Sequence, residues 1–272
     1  LGDYVLLDRI GAGGMGQVFK ARHRRMKRFV AIKLARKQDS QAASRLFAEA
    51  RLLARVRHPN IRAVDHAGVA AGRPFLVLEW VEGETLSVAA PKLDLRSRLR
   101  VALELAGALE LCHGLGVLHR DLKPANVLIC RQGGRLHPFL IDFGIARAAG
   151  EPGGTQPGIV YGTPAYLAPE QIGASPADER TDVYGLGALL FETVAGFPPF
   201  GQGEPAKVLR RVLLEDPPRL SELDPAVPAS LSELVARCLA KEPAERLPSM
   251  AALGQALARS LAELAEGSRA VG

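Results

Sequence analysis

Cysteine, aromatic rings and long apolar runs are all scarce in this chain, and each scarcity closes off a class of protein. Its 272 residues hold three cysteines, Cys112, Cys130 and Cys238, odd in number, far apart and without a CxxC pair. That excludes a disulfide scaffold and a cysteine zinc site, and the three read as reduced thiols of an intracellular protein. Aromatic residues are only 5% of the chain. This bears on the net charge of +6, because the densest basic runs, 22–28 and 96–100, carry no interleaved aromatic rings. Without such stacking platforms, and with its other cations dispersed, the chain is not expected to bind nucleic acid. The apolar stretch 183–200 is broken by Glu192 and by Pro198-Pro199, and nothing at the start has the order of a signal peptide. No membrane segment is expected in this chain. It begins at Leu1 and enters strand-like sequence at once, so the expectation is a cytoplasmic domain of a longer protein whose remainder holds any membrane anchor.

What is present suits one large domain or two lobes with separate cores. The first eighty residues alternate as β-sequence at 4–10, 17–21, 29–34, 64–69 and 75–81, with helical periodicity only at 42–57. From residue 97 the balance reverses, with helical patterns at 97–115, 182–195, 204–215, 230–240 and 249–266. Ser230 and Ser249 are expected N-caps, and Gly114 and Gly116 suit a helix end. Between the first two of these helices, 127–130 and 136–141 read as a hairpin turned at Gly133-Gly134. The fold class expected is α+β, a small antiparallel sheet with one helix followed by a larger helical part. The Gly/Pro-rich stretch 150–158 offers little to bury.

Gly11-Ala12-Gly13-Gly14-Met15-Gly16 with Val18 matches GxGxxGxV, a weak signal alone in a chain of 28 glycines. A dinucleotide fold would follow it with a helix and place an acid about twenty residues on. Here strand-like sequence follows, and the residue twenty on is Arg36. The glycines therefore read as a hairpin tip whose backbone N–H groups approach phosphate oxygens. Val30-Ala31-Ile32-Lys33 ends an apolar strand on a lysine. Glu49 shares the helix face of Leu46 and Leu53, points inward, and wants a cation; Lys33 and Arg45 compete for it. His119-Arg120-Asp121 followed by Asn126, then Asp142-Phe143-Gly144, assembles carboxylates, cations and a carboxamide suited to phosphoryl transfer. Asp121 suits orienting a hydroxyl and taking its proton, Lys123 meeting phosphoryl charge, and Asn126 with Asp142 holding a hard divalent cation. His119, which follows Gly116-Val117-Leu118, reads as packed scaffolding rather than as the base.

With these motifs in order over nearly the whole chain, the sequence resembles the protein kinase catalytic domain of the Ser/Thr type. It is similar to the bacterial eukaryotic-like kinases, whose glycine loops often read GxGGMGxV. The resemblance implies a bilobal fold, N-lobe and hinge at 1–81, C-lobe at 82–272 and an activation segment at 142–170. It implies ATP and Mg2+, with Mn2+ a substitute, as cofactors, and Ser/Thr residues of proteins as substrates. Adenine would lie between Ile10, Val18 and Ala31 above and Leu128 below, against the hinge Glu79 to Val81, with Leu78 as gatekeeper. Gly11, Ala12, Gly13, Gly14, Met15 and Gly16 would cover the phosphates, and Lys33 paired with Glu49 would grip them. Gly162-Thr163-Pro164 to Glu170 matches the segment that seats the protein substrate, with Thr163 near Asp121. Glu170 would pair with Arg246, and Asp182 would brace the catalytic loop. Arg120 marks control by loop phosphorylation. Thr155, the one Thr or Ser between Asp142 and Thr163, is the expected autophosphorylation site, with Tyr161 as alternative. Relatives of this kind also form homodimers, which leaves the oligomeric state open. A pseudokinase scaffold would need loss of Lys33, Asp121, Asn126 or Asp142, and all four are present. A small-molecule kinase would generally lack the 162–170 segment.

Overall fold

Strict alternation in the third strand explains how the first sheet is covered. Val30, Ile32 and Leu34 share one buried cluster with Phe75 and Val77, while Ala31 and Ala35 join Leu76 and Leu78 in another, on the opposite face. Leu46 and Ala50, one turn apart on the helical stretch, pack into that second cluster. The computed structural model describes residues 1–13, 16–35, 46–47, 50–51, 53–143, 164–173 and 175–270. It divides into two compact units, Leu1–Glu82 and a second comprising Gly83–Phe143 with the described residues from 164 onward.

In the first unit, β1 (Tyr4–Gly13), β2 (Gly16–His23), β3 (Phe29–Ala35), β4 (Val64–Ala70) and β5 (Arg73–Glu79) form an antiparallel sheet in the order β1-β2-β3-β5-β4. The second unit holds a small sheet of β6 (Glu84–Thr85), β7 (Val127–Gln132) and β8 (Arg135–Leu140). The hairpin turn at Gly133 and Gly134 takes φ +56° and +78°, the left-handed pair expected of two glycines. Its longer helices are α1 (Leu95–Gly114), α2 (Glu179–Ala195), α3 (Pro205–Leu214), α4 (Ala229–Cys238) and α5 (Met250–Ala270).

Helix α2 is the axis of this unit. Every residue from Thr181 to Phe191 is buried, and α1, α4 and α5 all pack on it. A helix apolar all round belongs inside a core, and no helix among the described residues is long and apolar enough to cross a membrane. Two starts differ from expectation because acidic caps precede the apolar pattern: Asp94 accepts from Ser97 N–H and Asp178 from Arg180 N–H, so α1 and α2 open two and three residues early. Ser249 caps α5 through Ala252 N–H. Ser230 does not cap α4; that helix opens after Pro228, and the Ser230 hydroxyl donates to Glu263.

Gly187 lets α4 approach α2: a Cβ there would lie 2.5 Å from Cys238 Cβ. Overpacking of this kind outweighs the helix propensity gained. Gly187→Ala is therefore expected to lower Tm by about 2–4 °C, read by calorimetry; an unchanged Tm would show that the contact relaxes without cost.

Candidate active site

The segment 119–126 leaves α1 through Leu115 and Gly116, the latter at φ +73°, and enters β7. Asp121 Oδ2 accepts from Lys123 Nζ at 2.9 Å and from Asn126 Nδ2 at 2.8 Å, and Asn126 Nδ2 also donates to the Asp121 carbonyl. Two donors on one oxygen fix the plane of the carboxylate. Because both partners of Nδ2 are oxygens, the amide nitrogen is the side of Asn126 that faces Asp121. Val127 pairs with Leu140, and Asn126 carbonyl accepts from Ile141 N–H at 2.9 Å, so Ile141 stands opposite Asn126 and Asp142 is the next residue along the chain. Asp142 takes φ +56°, a left-handed conformation rare outside glycine.

His119 is fully buried, and its ring lies 4.5 Å from that of Phe143. Burial pulls its pKa below the ordinary value, against the opposing charges of Asp182, Asp121 and Asp142, so the ring is neutral at pH 7. A neutral, enclosed imidazole whose Nδ1 accepts from Asp121 N–H is a strut.

The loop is fastened from α2. Asp182, 1% exposed, accepts from the backbone N–H of His119 and of Arg120, both at 2.8 Å. Its other contact was not foreseen: His113 Nε2 lies 2.7 Å from Oδ2. Burial disfavours the charged carboxylate, yet the hydrogen bond from His113 and the bond from Arg120 N–H hold it below the usual carboxylate range. His113 sits one turn beyond Leu109 on the apolar face of α1, and a polar residue at such a position was the available signal. On the far side, Gln171 Nε2 donates to the Arg120 carbonyl while its oxygen accepts from Ala168 N–H.

The segment expected to seat the substrate is described from Pro164 onward. Glu170 and Arg246 form a buried bidentate pair at 2.8 Å on both oxygens, joined by Thr181 Oγ1. Tyr166 donates to Glu192. Thr155, Tyr161, Gly162 and Thr163 lie outside the described residues.

In the first unit the β1–β2 ladder continues to Gly13 opposite Gly16, so the glycines do form a hairpin tip, with Gly14 and Met15 outside the described residues. Gly16 at φ +145° would place a Cβ 2.1 Å from the Leu34 carbonyl, which only glycine escapes. Ile10, Gly11 and Ala12 lie along β1. Lys33, 5% exposed, sits opposite Val18 on one side and Leu76 on the other; Glu49 is not among the described residues. Ala31 is opposite Leu78, both buried. Glu79 ends β5 with its carbonyl already accepting from Arg62 Nε at 2.6 Å, a contact the sequence did not announce, and Val81 follows, buried. Leu128, on β7 of the other unit, is half-buried. Cys112, Cys130 and Cys238 are buried and outside any disulfide, and burial pushes Cys112 and Cys238 up to about 12, leaving those two inert.

Comparison with known proteins agrees with this geometry. The protein kinase domain family matches residues 4–257. Serine/threonine-protein kinase PkaA of Streptomyces coelicolor is 39% identical over 97% of this chain and 50% of its own length. PknD of Mycobacterium tuberculosis is 35% identical over 91% and 38%, and Pkn1 of Myxococcus xanthus 36% over 96% and 39%. The chain thus spans half or less of the length of these curated relatives. The crystal structure of the M. tuberculosis PknI kinase domain superposes with a TM-score of 0.72 at 28% identity, covering 95% of both chains. The chain belongs to the protein kinase domain family, among relatives that are bacterial serine/threonine-protein kinases.

Proposed function

We propose that this chain is an ATP- and Mg2+-dependent protein Ser/Thr kinase domain. The observation that carries the reading is the double fastening of Asp121 Oδ2 by Lys123 and Asn126, whose carbonyl accepts from Ile141 N–H, the residue before Asp142. Asn126 and Asp142 fit Mg2+, which takes one or two protein oxygens and fills its shell with water and phosphate. Mg2+ would supply neutralisation of the phosphate charge. In the reaction a Ser or Thr oxygen bonds to the γ-phosphorus, the bond to the bridging oxygen breaks, ADP leaves, and the hydroxyl proton passes to Asp121. Lys123, held against Asp121 in the resting site, is at hand for the charge on the transferring group. Thr163 assists in seating the hydroxyl.

The nucleotide is assigned to the motifs of the family: the glycine turn 11–16 over the phosphates, Lys33 with Glu49 on the α and β phosphates, and Ile10, Val18, Ala31, Leu78, Val81 and Leu128 around adenine. Glu79 can use the second lone pair of its carbonyl for the adenine edge. Phosphate on Thr155 would give Arg120 a dianion to bind, switching the domain on. The location proposed is cytoplasmic.

The test is incubation with labelled ATP, Mg2+ and a generic basic protein. Label is expected on Ser and Thr of that protein and on Thr155, and a chelator is expected to stop both. Absence of any transfer to Ser or Thr overturns the reading. Label on the loop elsewhere, with Thr155→Ala fully active, overturns the regulatory part alone.

A further inference from the structure

The densest basic run, 22–28, serves none of the chemistry above, and its geometry is that of a built surface. It forms the turn between β2 and β3. His23 N–H donates to the Arg28 carbonyl, Lys27 N–H to the His23 carbonyl, both at 2.9 Å, and Met26 N–H to His23 Nδ1. His23 itself is buried, edge-on to Tyr4 with ring centroids 4.9 Å apart. Lys27 is held at φ +55°. The turn is therefore fixed from inside by a histidine, and it presents Arg22, Arg24, Arg25, Met26, Lys27 and Arg28 outward, all exposed.

Two carboxylates answer this charge. Asp65 pairs with Arg28 at 2.8 Å, and Asp3 lies 3.5 Å from Arg25, which is 83% exposed and well screened. Among the described residues, no carboxylate pairs with Arg22, Arg24 or Lys27. Met26, 65% exposed, stands among them as the apolar apex.

We propose that this turn docks the domain on an anionic phospholipid surface. Each cation brought within the Debye length of such a surface strengthens partitioning about fivefold, and the methionine can enter the headgroup layer. A projecting turn with an apolar apex fits a plane, whereas an acidic peptide needs a groove. Nucleic acid is disfavoured because the run carries no Phe, Tyr or Trp to stack on a base, and Phe29, which follows it, already has Lys20 Nζ 4.5 Å from its ring centroid.

The test is co-sedimentation of the chain with vesicles of phosphatidylglycerol and phosphatidylcholine, or of phosphatidylcholine alone, at low salt. Binding is expected only to the first and should weaken steeply with added salt. The triple substitution Arg22→Ala, Arg24→Ala, Lys27→Ala should weaken it about a hundredfold without moving Tm, while replacing the two arginines by lysine should preserve it. Equal binding to both vesicles, or binding unchanged in the triple variant, overturns the proposal. So does tighter binding of a DNA duplex or polyglutamate through the same residues at the same salt.

Discussion

Asp121→Asn is expected to lower the rate of phosphoryl transfer by about 10²–10⁴-fold while leaving nucleotide affinity within a factor of two or so. The reason lies in the two donors on Asp121 Oδ2. An amide cannot take the hydroxyl proton. Whichever way it is turned, it also either sets an N–H against the Asn126 Nδ2 and Lys123 Nζ donors or accepts from them without a countercharge. Single-turnover kinetics with titration calorimetry of nucleotide separates the two effects. A variant retaining more than a tenth of the wild-type rate would remove Asp121 from the role of base.

Glu170→Ala is expected to cost about 3–5 kcal/mol of stability, because it breaks a buried pair from one side. Arg246 is fully buried and spends all five N–H donors: Nε on the Ala240 carbonyl, Nη1 on Glu170 and the Arg180 carbonyl, Nη2 on Glu170 and the Lys241 carbonyl. Its guanidinium carbon lies 4.9 Å from the centroid of the Tyr184 ring. Removing the carboxylate strands a charge and two donors where no water reaches. The pH dependence provides an independent check. Burial alone would raise the Glu170 pKa, but the hydrogen bonds and charge of Arg246 hold it below the usual carboxylate value. A depressed folded pKa contributes stability that is present above the unfolded value and is lost as pH falls through the folded one. The stability gap between wild type and Glu170→Gln, from urea melts, should therefore be widest near neutrality and shrink on acidification below the unfolded range. A gap independent of pH would mean that the pair adds only packing.

Periodicity made the sheet and the long helices legible, since Val30, Ile32 and Leu34 announce one face of β3 and the apolar run of α2 announces a core. It sees apolar residues and not the caps before them, so it does not mark Asp94 and Asp178, and it points to Ser230 although that hydroxyl takes a longer-range partner in Glu263. The two-residue strand β6 is too short for any period to show. At the site, the order of His119, Asp121, Asn126 and Asp142 was readable because those residues lie close in sequence. His113, Gln171 and Arg62 were not, because their partners stand 69, 51 and 17 positions away and nothing local marks them.

Arg120 holds φ +62°, a conformation that costs a bulky residue on the order of 1–3 kcal/mol. Asp182 secures its N–H and Gln171 its carbonyl. The first of those anchors belongs to the most enclosed helix of the domain, so the loop cannot loosen without prising open the hydrophobic interior. Its rigidity is borrowed, and with it the loop inherits the opening free energy of the core rather than that of a surface turn. Disordering the 119–126 loop is therefore a costly way to alter this domain. Control of the proposed activity would cost less when exerted on parts that are not moored to that helix.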